Sequence, residues 1–501
     1  MDISSKAMGL IAAVAIVAGG GGLYAGSNFL GDNEDRGQEP ADEAATEASV
    51  NLAEELNPGG QTSDGDFEKV HHAFEIISQQ YVEEVDEDLL IEGAIEGMVE
   101  KLEDPHSVYM DQETATQFTE SLDSHFEGIG AEVSMTDGYV TIVAPFRDSP
   151  AEEAGLQPND QVVEIDGEST EGLSLYEAVL EIRGEKGTVV NLTISRPGNS
   201  DSFTVEVERD EIPVETVRSE TYEHKGQTVG VLEITSFSEN TSHEFTEHLE
   251  NLENEDIDGL IVDVRGNPGG YLNSVEEIGD QIIPQGESIV QIESREGEVA
   301  SYVSSLEEEK DYPVVGVIDR GSVSASEILA GALKEAGDYD LVGETTYGKG
   351  TVQQPIQLGD GSELKLSLFK WLTSDGNDIN EVGVEPTVEV QQPEYFYLAA
   401  LAVDDEEPLE KDSMGDQIRA AQEMLTGLGY ETGRTDGYFD AQTERAVQAF
   451  QNSSDIEATG IIDEETANAM HQELVELVRD PDNDEQLKTA IELVVEQSGA
   501  E

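Results

Sequence analysis

The sequence has no cysteine and few basic residues. Its 501 residues include 25 Lys and Arg against 111 Asp and Glu, which gives a formal net charge of −86. The absence of cysteine excludes disulfides, thiolate metal sites, cysteine nucleophiles and a lipid-modified N-terminal cysteine. The shortage of cations argues against nucleic acid as a partner, because phosphate binding requires a basic surface.

The negative charge indicates an acid-coated globular protein rather than a disordered chain. Hydrophobic residues make up 37% of the sequence, and Val, Ile and Leu runs punctuated by glycine predict real cores. Repulsion among the carboxylates strains a compact state unless salt screens it, so we predict a halophilic protein, with an ordinary acidic exported protein as the alternative. The length predicts three or four domains of roughly 100–200 residues each.

One long uncharged segment lies near the N-terminus. Residues 7–30 carry no charge, and about 20 apolar residues suffice to span a bilayer. Lys6 precedes the segment and acids follow it, which predicts a single-pass anchor at residues 1–30 with the rest of the chain extracytoplasmic, on the cell wall side. A cleaved signal peptide, and hence secretion, is the alternative.

Two further regions precede the first predicted β structure. The acidic residues 31–66 predict a solvated linker. Apolar residues at helical spacing across residues 67–123 predict an N-terminal helical region. We expect its apolar stripes to pack against the rest of the domain or against a second copy of the chain, which would make a homo-oligomer.

Residues 124–210 predict a β-rich domain, with five short β runs and one helical stretch. The segments at 126–133 and 149–167 resemble the PDZ family, in which backbone N–H groups bind a chain-terminal carboxylate and the next strand edge pairs with the peptide. An ordinary glycine turn entering a strand is the alternative for the first segment. The resemblance assigns peptide binding to Gly128, Ile129, Gly130 and Ala131.

Two apolar runs, at residues 259–265 and 313–319, predict strands covered on both faces. Each run ends in a Gly-rich turn that leads into a helical pattern, and the second turn contains Ser324. A serine between a strand and a helix N-terminus is well placed for nucleophilic attack. Helix capping by this serine and its neighbours is the alternative that the segment alone leaves open.

Lys349 supplies the base that such a serine needs. It lies between glycines and precedes a strand-forming segment, in which Gln353 faces the same side and can orient the amine. Serine–lysine pairs are a known form of nucleophilic catalysis. Because the amine must be neutral to accept a proton, we expect surroundings that are dry and free of acids. A Ser-His-Asp triad stays open, but it would leave Lys349 and Gln353 unexplained.

A zinc-protease helix is the poorer rival. His243 and His248 are five residues apart, whereas the zinc motif needs histidines at i and i+4. Five residues rotate the second ring about 140° away from the first. We therefore expect a solvated acidic helix, no metal and no other cofactor.

The combination of Ser324, Lys349 and Gln353 with the turn at 263–270 and the PDZ-like segment resembles the tail-specific, or carboxy-terminal processing, serine protease family. The resemblance covers residues 67–396. It implies a mixed α/β core of the βαβ-spiral kind at 211–396, in which Ser324 is the nucleophile and Lys349 is the base. It also places the oxyanion donors at the backbone of Gly269, Gly270 and Ala325.

The C-terminal part changes pattern again. Residues 397–411 predict a linker, and the helical stretches of 412–475, separated by two related turns, resemble the three-helix peptidoglycan-binding module. A helical appendage that binds nothing is the alternative. Residues 476–501 predict an amphipathic C-terminal helix for docking or dimer contact.

The sequence thus predicts an α/β and α+β multidomain protein with N-terminal helices, a PDZ-like domain, a protease core and a three-helix wall-binding module. The predicted function is that of a membrane-anchored extracytoplasmic serine endopeptidase that recognises protein substrates by their C-termini and binds peptidoglycan. A catalytically silent PDZ scaffold on peptidoglycan is the main alternative, and a wall hydrolase is a third.

Overall fold

The computed structural model describes residues 64–499, except for gaps at 121, 123, 137, 147–148, 174, 197–201, 308–309 and 404–407. The chain divides into two units: 64–115 with 354–366, and 116–353 with 367–499. The predicted anchor and nearly all of the acidic linker lie outside the described residues. Within the described part of the chain, no helix is both long and apolar enough for a membrane span.

The first unit contains the predicted N-terminal helices. Its elements are α1 (Asp64–Gln80), α2 (Glu87–Glu100) and β1 (Val108–Met110). Helix α2 begins where the Asp86 carboxylate accepts hydrogen bonds from the amides of Asp88 and Leu89, which is the usual role of an N-cap residue. Strand β1 pairs antiparallel with residues 363–365.

The predicted PDZ-like domain is a six-strand antiparallel sheet with two helices. Helix α3 (Gln112–Glu120) precedes it, and its elements are β2 (His125–Gly128), β3 (Ala131–Thr136), β4 (Tyr139–Pro145), α4 (Pro150–Glu153), β5 (Gln161–Ile165), β6 (Glu168–Ser169), α5 (Leu175–Ile182), β7 (Val189–Ser195), β8 (Phe203–Glu208) and β9 (Asp210–Pro213). The sheet order is β3-β4-β5-β7-β8, with β6 also paired to β5, so β3 is an edge strand. Strand β2 pairs separately with β9. The inward-facing strand residues and helix α5 enclose one apolar core.

The α/β core is built on a six-strand sheet in the order β10-β11-β12-β15-β16-β19. Its elements are β10 (Val217–His224), β11 (Gln227–Ile234), α6 (Thr241–Asn254), β12 (Gly259–Asp263), α7 (Leu272–Ile282), β13 (Ser288–Glu293), β14 (Val299–Val303), β15 (Val314–Ile318), α8 (Ala325–Gly331), β16 (Asp340–Gly343), β17 (Thr351–Gln357), β18 (Glu363–Leu372) and β19 (Val388–Glu389). Strands β11 to β19 of this sheet run parallel. As the apolar runs predicted, β12 and β15 are buried along their whole length.

Three helices form the next module, and a fourth follows it. The module contains α9 (Asp416–Gly427), α10 (Ala441–Ser453) and α11 (Glu464–Arg479), and the last helix is α12 (Glu485–Ser498). The three helices share one core, which includes Phe439 and Phe450. Each of α10 and α11 begins at an aspartate whose carboxylate accepts hydrogen bonds from first-turn amides.

The two faces of the core sheet are covered by different parts of the chain. Helices α6, α7 and α8 pack on one face. Helix α12 packs on the other face, where Leu487, Ile491 and Val494 meet apolar residues of β11, β12, β15 and β16. The predicted C-terminal helix therefore docks on the core and completes its second apolar layer.

Candidate active site

Ser324 lies at the turn between β15 and α8, where the parallel strands end. Its backbone has φ 57° and ψ −111°, a conformation that non-glycine residues rarely adopt. Such strain costs roughly 1–3 kcal/mol and persists only where the surroundings hold it in place. Here the Ser324 N–H donates a 2.8 Å hydrogen bond to Oε2 of Glu327.

The two neighbouring serines have structural roles. The Ser322 hydroxyl donates to the carbonyl oxygen of Val264 at 2.8 Å, and that of Ser326 donates to the carbonyl of Asn267 at 2.9 Å. Both side chains are fully buried. Their hydrogen bonds hold the loop that contains Ser324, called the serine loop below, against the turn that follows β12. Ser324 itself is only partly buried.

The Gly-rich turn after β12 touches the serine directly. Asn267 is fully buried, and its carbonyl accepts the Val323 N–H at 3.0 Å. Gly269 has φ 100°, and a Cβ atom placed on it would lie 2.9 Å from Cβ of Ser324 and 2.8 Å from the Val323 carbonyl oxygen. The absence of a side chain at position 269 is therefore required for this close approach.

The three amides that the resemblance assigned to the oxyanion hole differ in their availability. The Gly269 N–H donates to Oδ1 of Asn267 at 2.8 Å and is therefore already engaged. Within the described part of the chain, the N–H groups of Gly270 and Ala325 make no hydrogen bond. Ala325 is the first residue of α8, so its amide also benefits from the positive end of the helix dipole.

Lys349 lies in a loop that is anchored at several points. Its N–H donates to Oε2 of Glu327 at 2.9 Å, and its carbonyl accepts the indole N–H of Trp371 at 2.7 Å. Trp371 is the single tryptophan of the sequence and is almost fully buried. The next amide, of Gly350, donates to Asn380 at 3.1 Å. The backbone of Lys349 is thus fixed on both sides.

Glu327 joins the serine loop to the lysine loop. Oε2 accepts the N–H groups of both Ser324 and Lys349, while Oε1 accepts the Gly348 N–H and the Thr346 hydroxyl, each at 2.6 Å. The side chain is fully buried. A carboxylate, which only accepts hydrogen bonds, suits these four donors.

The expectation of acid-free surroundings concerned the Lys349 amine, whereas the Glu327 carboxylate meets the Lys349 backbone amide. A carboxylate is tolerated there because four donors compensate its desolvation. Sequence reasoning missed Glu327, although its position three residues after a helix N-cap is a recognisable capping signal.

Gln353 lies in β17, as the strand-forming segment predicted. Its side-chain nitrogen donates to the Thr351 hydroxyl at 2.8 Å and carbonyl at 3.1 Å, and to the Ser367 hydroxyl at 3.1 Å. These bonds assign the amide nitrogen to the side of Thr351 and Ser367. They hold the side chain in one orientation.

The four residues predicted to bind a peptide lie at the junction of β2 and β3. Ile129 is buried in the PDZ core, and Gly130 has φ 70° with Ser149 so close that an added Cβ would clash. Gly128 ends β2, and Ala131 begins the edge strand β3. An edge strand with an unpaired side can accept an added peptide strand.

The zinc alternative finds no support in the described regions. His248 shares a 2.7 Å hydrogen bond with the Ser219 hydroxyl through Nδ1. Across the residues that the structure describes, no group of side chains is arranged to hold a metal ion.

Comparison with known proteins agrees with this architecture. The family model Peptidase family S41 matches residues 228–390, and the PDZ domain model matches 128–207. The Putative peptidoglycan binding domain matches 414–470, and the Activating protease CtpB N-terminal domain matches 16–114.

Carboxy-terminal processing protease CtpB of Bacillus subtilis (strain 168) is 47% identical over 489 residues, which cover 98% of this chain and 99% of the relative. The chain belongs to the carboxy-terminal processing protease family. Carboxy-terminal processing protease CtpA of the same strain is 40% identical to this protease over 431 residues, with coverage of 86% and 91%.

Among solved structures, the photosystem II D1 C-terminal processing protease is 26% identical, with a TM-score of 0.40, and covers 65% of this chain and 86% of that chain. Given the matching family models and the similarity to these relatives, this carboxy-terminal processing protease is a serine-type endopeptidase with a PDZ domain and a peptidoglycan-binding domain. The predicted family, fold class and enzyme class are confirmed.

Proposed function

We propose that the protein is a membrane-anchored, extracytoplasmic carboxy-terminal processing endopeptidase that uses Ser324, Lys349 and Gln353. In this mechanism, Lys349 accepts the hydroxyl proton of Ser324 as the serine oxygen attacks a peptide carbonyl. The N–H groups of Gly270 and Ala325 bind the resulting oxyanion. Lys349 then gives this proton to the nitrogen of the leaving chain as the peptide bond breaks. In the second half Lys349 accepts a proton from the attacking water, and its return to the Ser324 oxygen releases the acyl group as a carboxylate.

The observation that carries this proposal is the shared carboxylate oxygen of Glu327. Because Oε2 accepts both the Ser324 and the Lys349 amide, the two loops reach the same point although 25 positions separate them in the sequence. With its amide nitrogen held by Thr351 and Ser367, Gln353 has its side-chain oxygen left to orient the lysine amine.

Cleavage of an unfolded protein by the wild type, Ser324→Ala and Lys349→Ala tests the catalytic assignment. Both variants are expected to lose proteolysis, since a Ser–Lys pair acts as one unit. Circular dichroism controls for folding. Wild-type rates in either variant would reject the assignment, and a wild type that is itself inactive would favour the PDZ scaffold.

Recognition of substrate C-termini is the second part of the proposal. It is supported by the edge strand β3 and by the adjacent Gly128 to Ala131 segment. A substrate with a free C-terminal carboxylate is expected to have a lower KM than the same substrate with a C-terminal amide. Equal KM values would show that the PDZ domain does not select chain ends.

Wall binding and membrane anchoring complete the proposal. The peptidoglycan-binding match at 414–470 supports retention on purified peptidoglycan, and the uncharged segment at 7–30 supports an anchor. Co-sedimentation with peptidoglycan, measured beside turnover of that polymer, separates binding from the wall-hydrolase alternative. Membrane fractionation, with N-terminal sequencing of the mature chain, distinguishes an anchor from a cleaved signal.

A salt optimum well above zero is expected from the net charge of −86. Added salt screens the repulsion between carboxylates, and a Debye length of about 3 Å at 1 M leaves little of it. Activity and unfolding midpoint across a salt series measure this. A protein that is equally stable with and without salt would contradict the halophilic assignment.

A further inference from the structure

A short turn between β19 and α9 contacts the chain just before both active-site loops. It spans Glu394–Tyr397, and its last residue, Tyr397, is half-buried. The Tyr397 side chain meets Arg320 and Glu344, which follow the ends of β15 and β16. One tyrosine therefore contacts the two segments that lead from the core sheet to Ser324 and Lys349.

The first contact reaches the chain that leads into the lysine loop. The Tyr397 hydroxyl donates to Oε2 of Glu344 at 2.5 Å, a length typical of a hydrogen bond to an ionised carboxylate. Burial first, and then this hydrogen bond, raises the pKa of Tyr397, so the hydroxyl keeps its proton and remains the donor. Glu344 directly follows β16, and its own N–H donates to the carbonyl of Ile318 at 3.0 Å. Tyr397 thus holds the start of the lysine loop at the edge of the sheet.

The second contact reaches the chain that leads into the serine loop. The Arg320 guanidinium lies over the Tyr397 ring, with Cζ 3.8 Å from the ring centroid, and an aromatic face attracts a cation in this position. The preceding residue, Asp319, is buried and accepts the amides of Gly266 and Gly321 at 2.9 and 2.8 Å. The ring contact therefore joins a segment that is already fixed to the Gly-rich turn.

The two loops are joined again beyond these contacts. The Tyr347 N–H donates to the Ser322 carbonyl at 3.1 Å, and Glu327 accepts backbone amides from both loops. Tyr397 holds the beginnings of the same two loops that Glu327 joins further along. The spacing between the loops is thus set at both places.

The turn that carries Tyr397 is itself anchored on the three-helix module. A Cβ atom placed on Gly427, at the end of α9, would lie 2.7 Å from Cγ of Tyr395. Tyr395 and Leu398 also pack against the shared core of the three helices. Tyr397 is therefore flanked by residues that are packed in place, which lets its side chain hold other segments.

We propose that Tyr397 is a positioning residue for the reaction and that it sets the spacing of Ser324 and Lys349 through Arg320 and Glu344. The inference rests on the proposed Ser–Lys mechanism, in which a proton passes between these two side chains. Proton transfer depends on the separation of its donor and acceptor, and a displacement of about 1 Å at an active site can cost a hundredfold in rate. Tyr397 acts through the chain that it holds and takes no part in the chemistry.

Steady-state kinetics of the full-length chain on a fluorogenic peptide test this role. Tyr397→Phe removes the hydroxyl but keeps the ring beneath Arg320, and it is expected to lower kcat about tenfold with KM little changed. Glu344→Ala removes the acceptor and is expected to have the same effect. Glu344→Gln keeps an acceptor oxygen and is expected to retain most of the kcat. The double variant Tyr397→Phe/Glu344→Ala should be no slower than either single variant, because both changes remove the same hydrogen bond.

Tyr312→Phe is the matched control. Tyr312 is also half-buried, and its hydroxyl donates to Oε1 of Glu253 at 2.6 Å. It precedes β15, however, and so lies at the opposite end of that strand from the serine loop. Tyr312→Phe is expected to lower the unfolding midpoint about as much as Tyr397→Phe and to leave kcat unchanged. Thermal unfolding verifies that each variant is folded at the assay temperature.

Four results would overturn the proposal: a wild-type kcat in Tyr397→Phe, an equal loss of kcat in Tyr397→Phe and Tyr312→Phe, additive losses in the double variant, or a Glu344→Gln chain as slow as Glu344→Ala. Ser324→Ala, assayed beside these variants, separates this proposal from the catalytic assignment. Activity that persists in Ser324→Ala rejects the Ser–Lys mechanism itself. Activity that requires Ser324 but is unaffected by Tyr397→Phe rejects only the role of Tyr397.

Discussion

Replacing Glu327 by glutamine tests whether the buried carboxylate positions the proposed catalytic pair, Ser324 and Lys349. The substitution keeps the shape of the side chain but replaces one acceptor oxygen by an NH2 group that only donates. With the nitrogen at the Oε2 position, it would face the amides of both Ser324 and Lys349. With the nitrogen at the Oε1 position, it would face the Gly348 amide and the Thr346 hydroxyl, and a hydroxyl can accept instead.

The second orientation is favoured because it leaves one buried amide without an acceptor rather than two. An unsatisfied buried donor costs about 1–3 kcal/mol, so the free energy of unfolding is expected to fall by about 2 kcal/mol. Gly348 immediately precedes Lys349, and a displacement of about 1 Å at an active site can cost a hundredfold in rate. We expect kcat to fall by about ten- to a hundredfold, with KM little changed.

The assay measures kcat and KM on a fluorogenic peptide together with urea unfolding. Glu244→Gln is the matched control, because Glu244 also accepts three hydrogen bonds, from the amide and hydroxyl of Thr216 and from the Val217 amide. It is expected to lower stability and leave kcat unchanged. The reasoning fails if Glu327→Gln keeps the wild-type kcat, or if both variants lose kcat in proportion to their stability.

Three further outcomes are expected. Trp371→Phe removes the indole donor to the Lys349 carbonyl and should lower both kcat and stability, the latter by about 1–3 kcal/mol; unchanged kcat would show that this anchor is dispensable. Gly270→Ala would place a Cβ 2.0 Å from the Phe237 carbonyl oxygen, so proteolysis should be lost in a chain whose circular dichroism is near that of the wild type. Burial, and to a lesser extent the neighbouring carboxylates, raises the pKa of Glu276 from 4.5 to about 8. The folded state therefore binds this proton more tightly than the unfolded state, so the free energy of unfolding should fall as the pH rises from about 4.5 through 8. Glu276→Gln should flatten that dependence when urea unfolding is measured across this pH range.

The sequence predicts the strands that lead into the proposed catalytic turns, because a continuous apolar run is a local pattern. Continuous apolar runs identify β12 and β15, and the carboxyl ends of adjacent parallel strands lie at one edge of a sheet. The turn containing Ser324 and the Gly-rich turn at 266–270 follow those ends, so their proximity follows from topology alone.

The features that the sequence does not predict depend on distant partners. One buried carboxylate cannot be distinguished among 111 acids, because Glu327 is buried by contacts with Thr346, Gly348 and Lys349. The engagement of the Gly269 amide by Asn267 is likewise a property of the folded turn. An amphipathic pattern shows that α12 has an apolar face but not which surface that face covers.

The position of α12 sets the order in which the enzyme can become complete. Strands β11, β12, β15 and β16 are synthesised well before residues 485–498, which supply the apolar layer on their second face. Arg265 directly precedes the Gly-rich turn at 266–270. Its ion pair with Asp263 can form early, but its ion pair with Asp484 can form only after Asp484 has been synthesised. A growing chain that already contains Ser324 and Lys349 therefore lacks the second apolar layer of the core sheet until the three helices of the peptidoglycan-binding domain have also been made. The topology makes completion of the protease core depend on α12, which is synthesised after that domain.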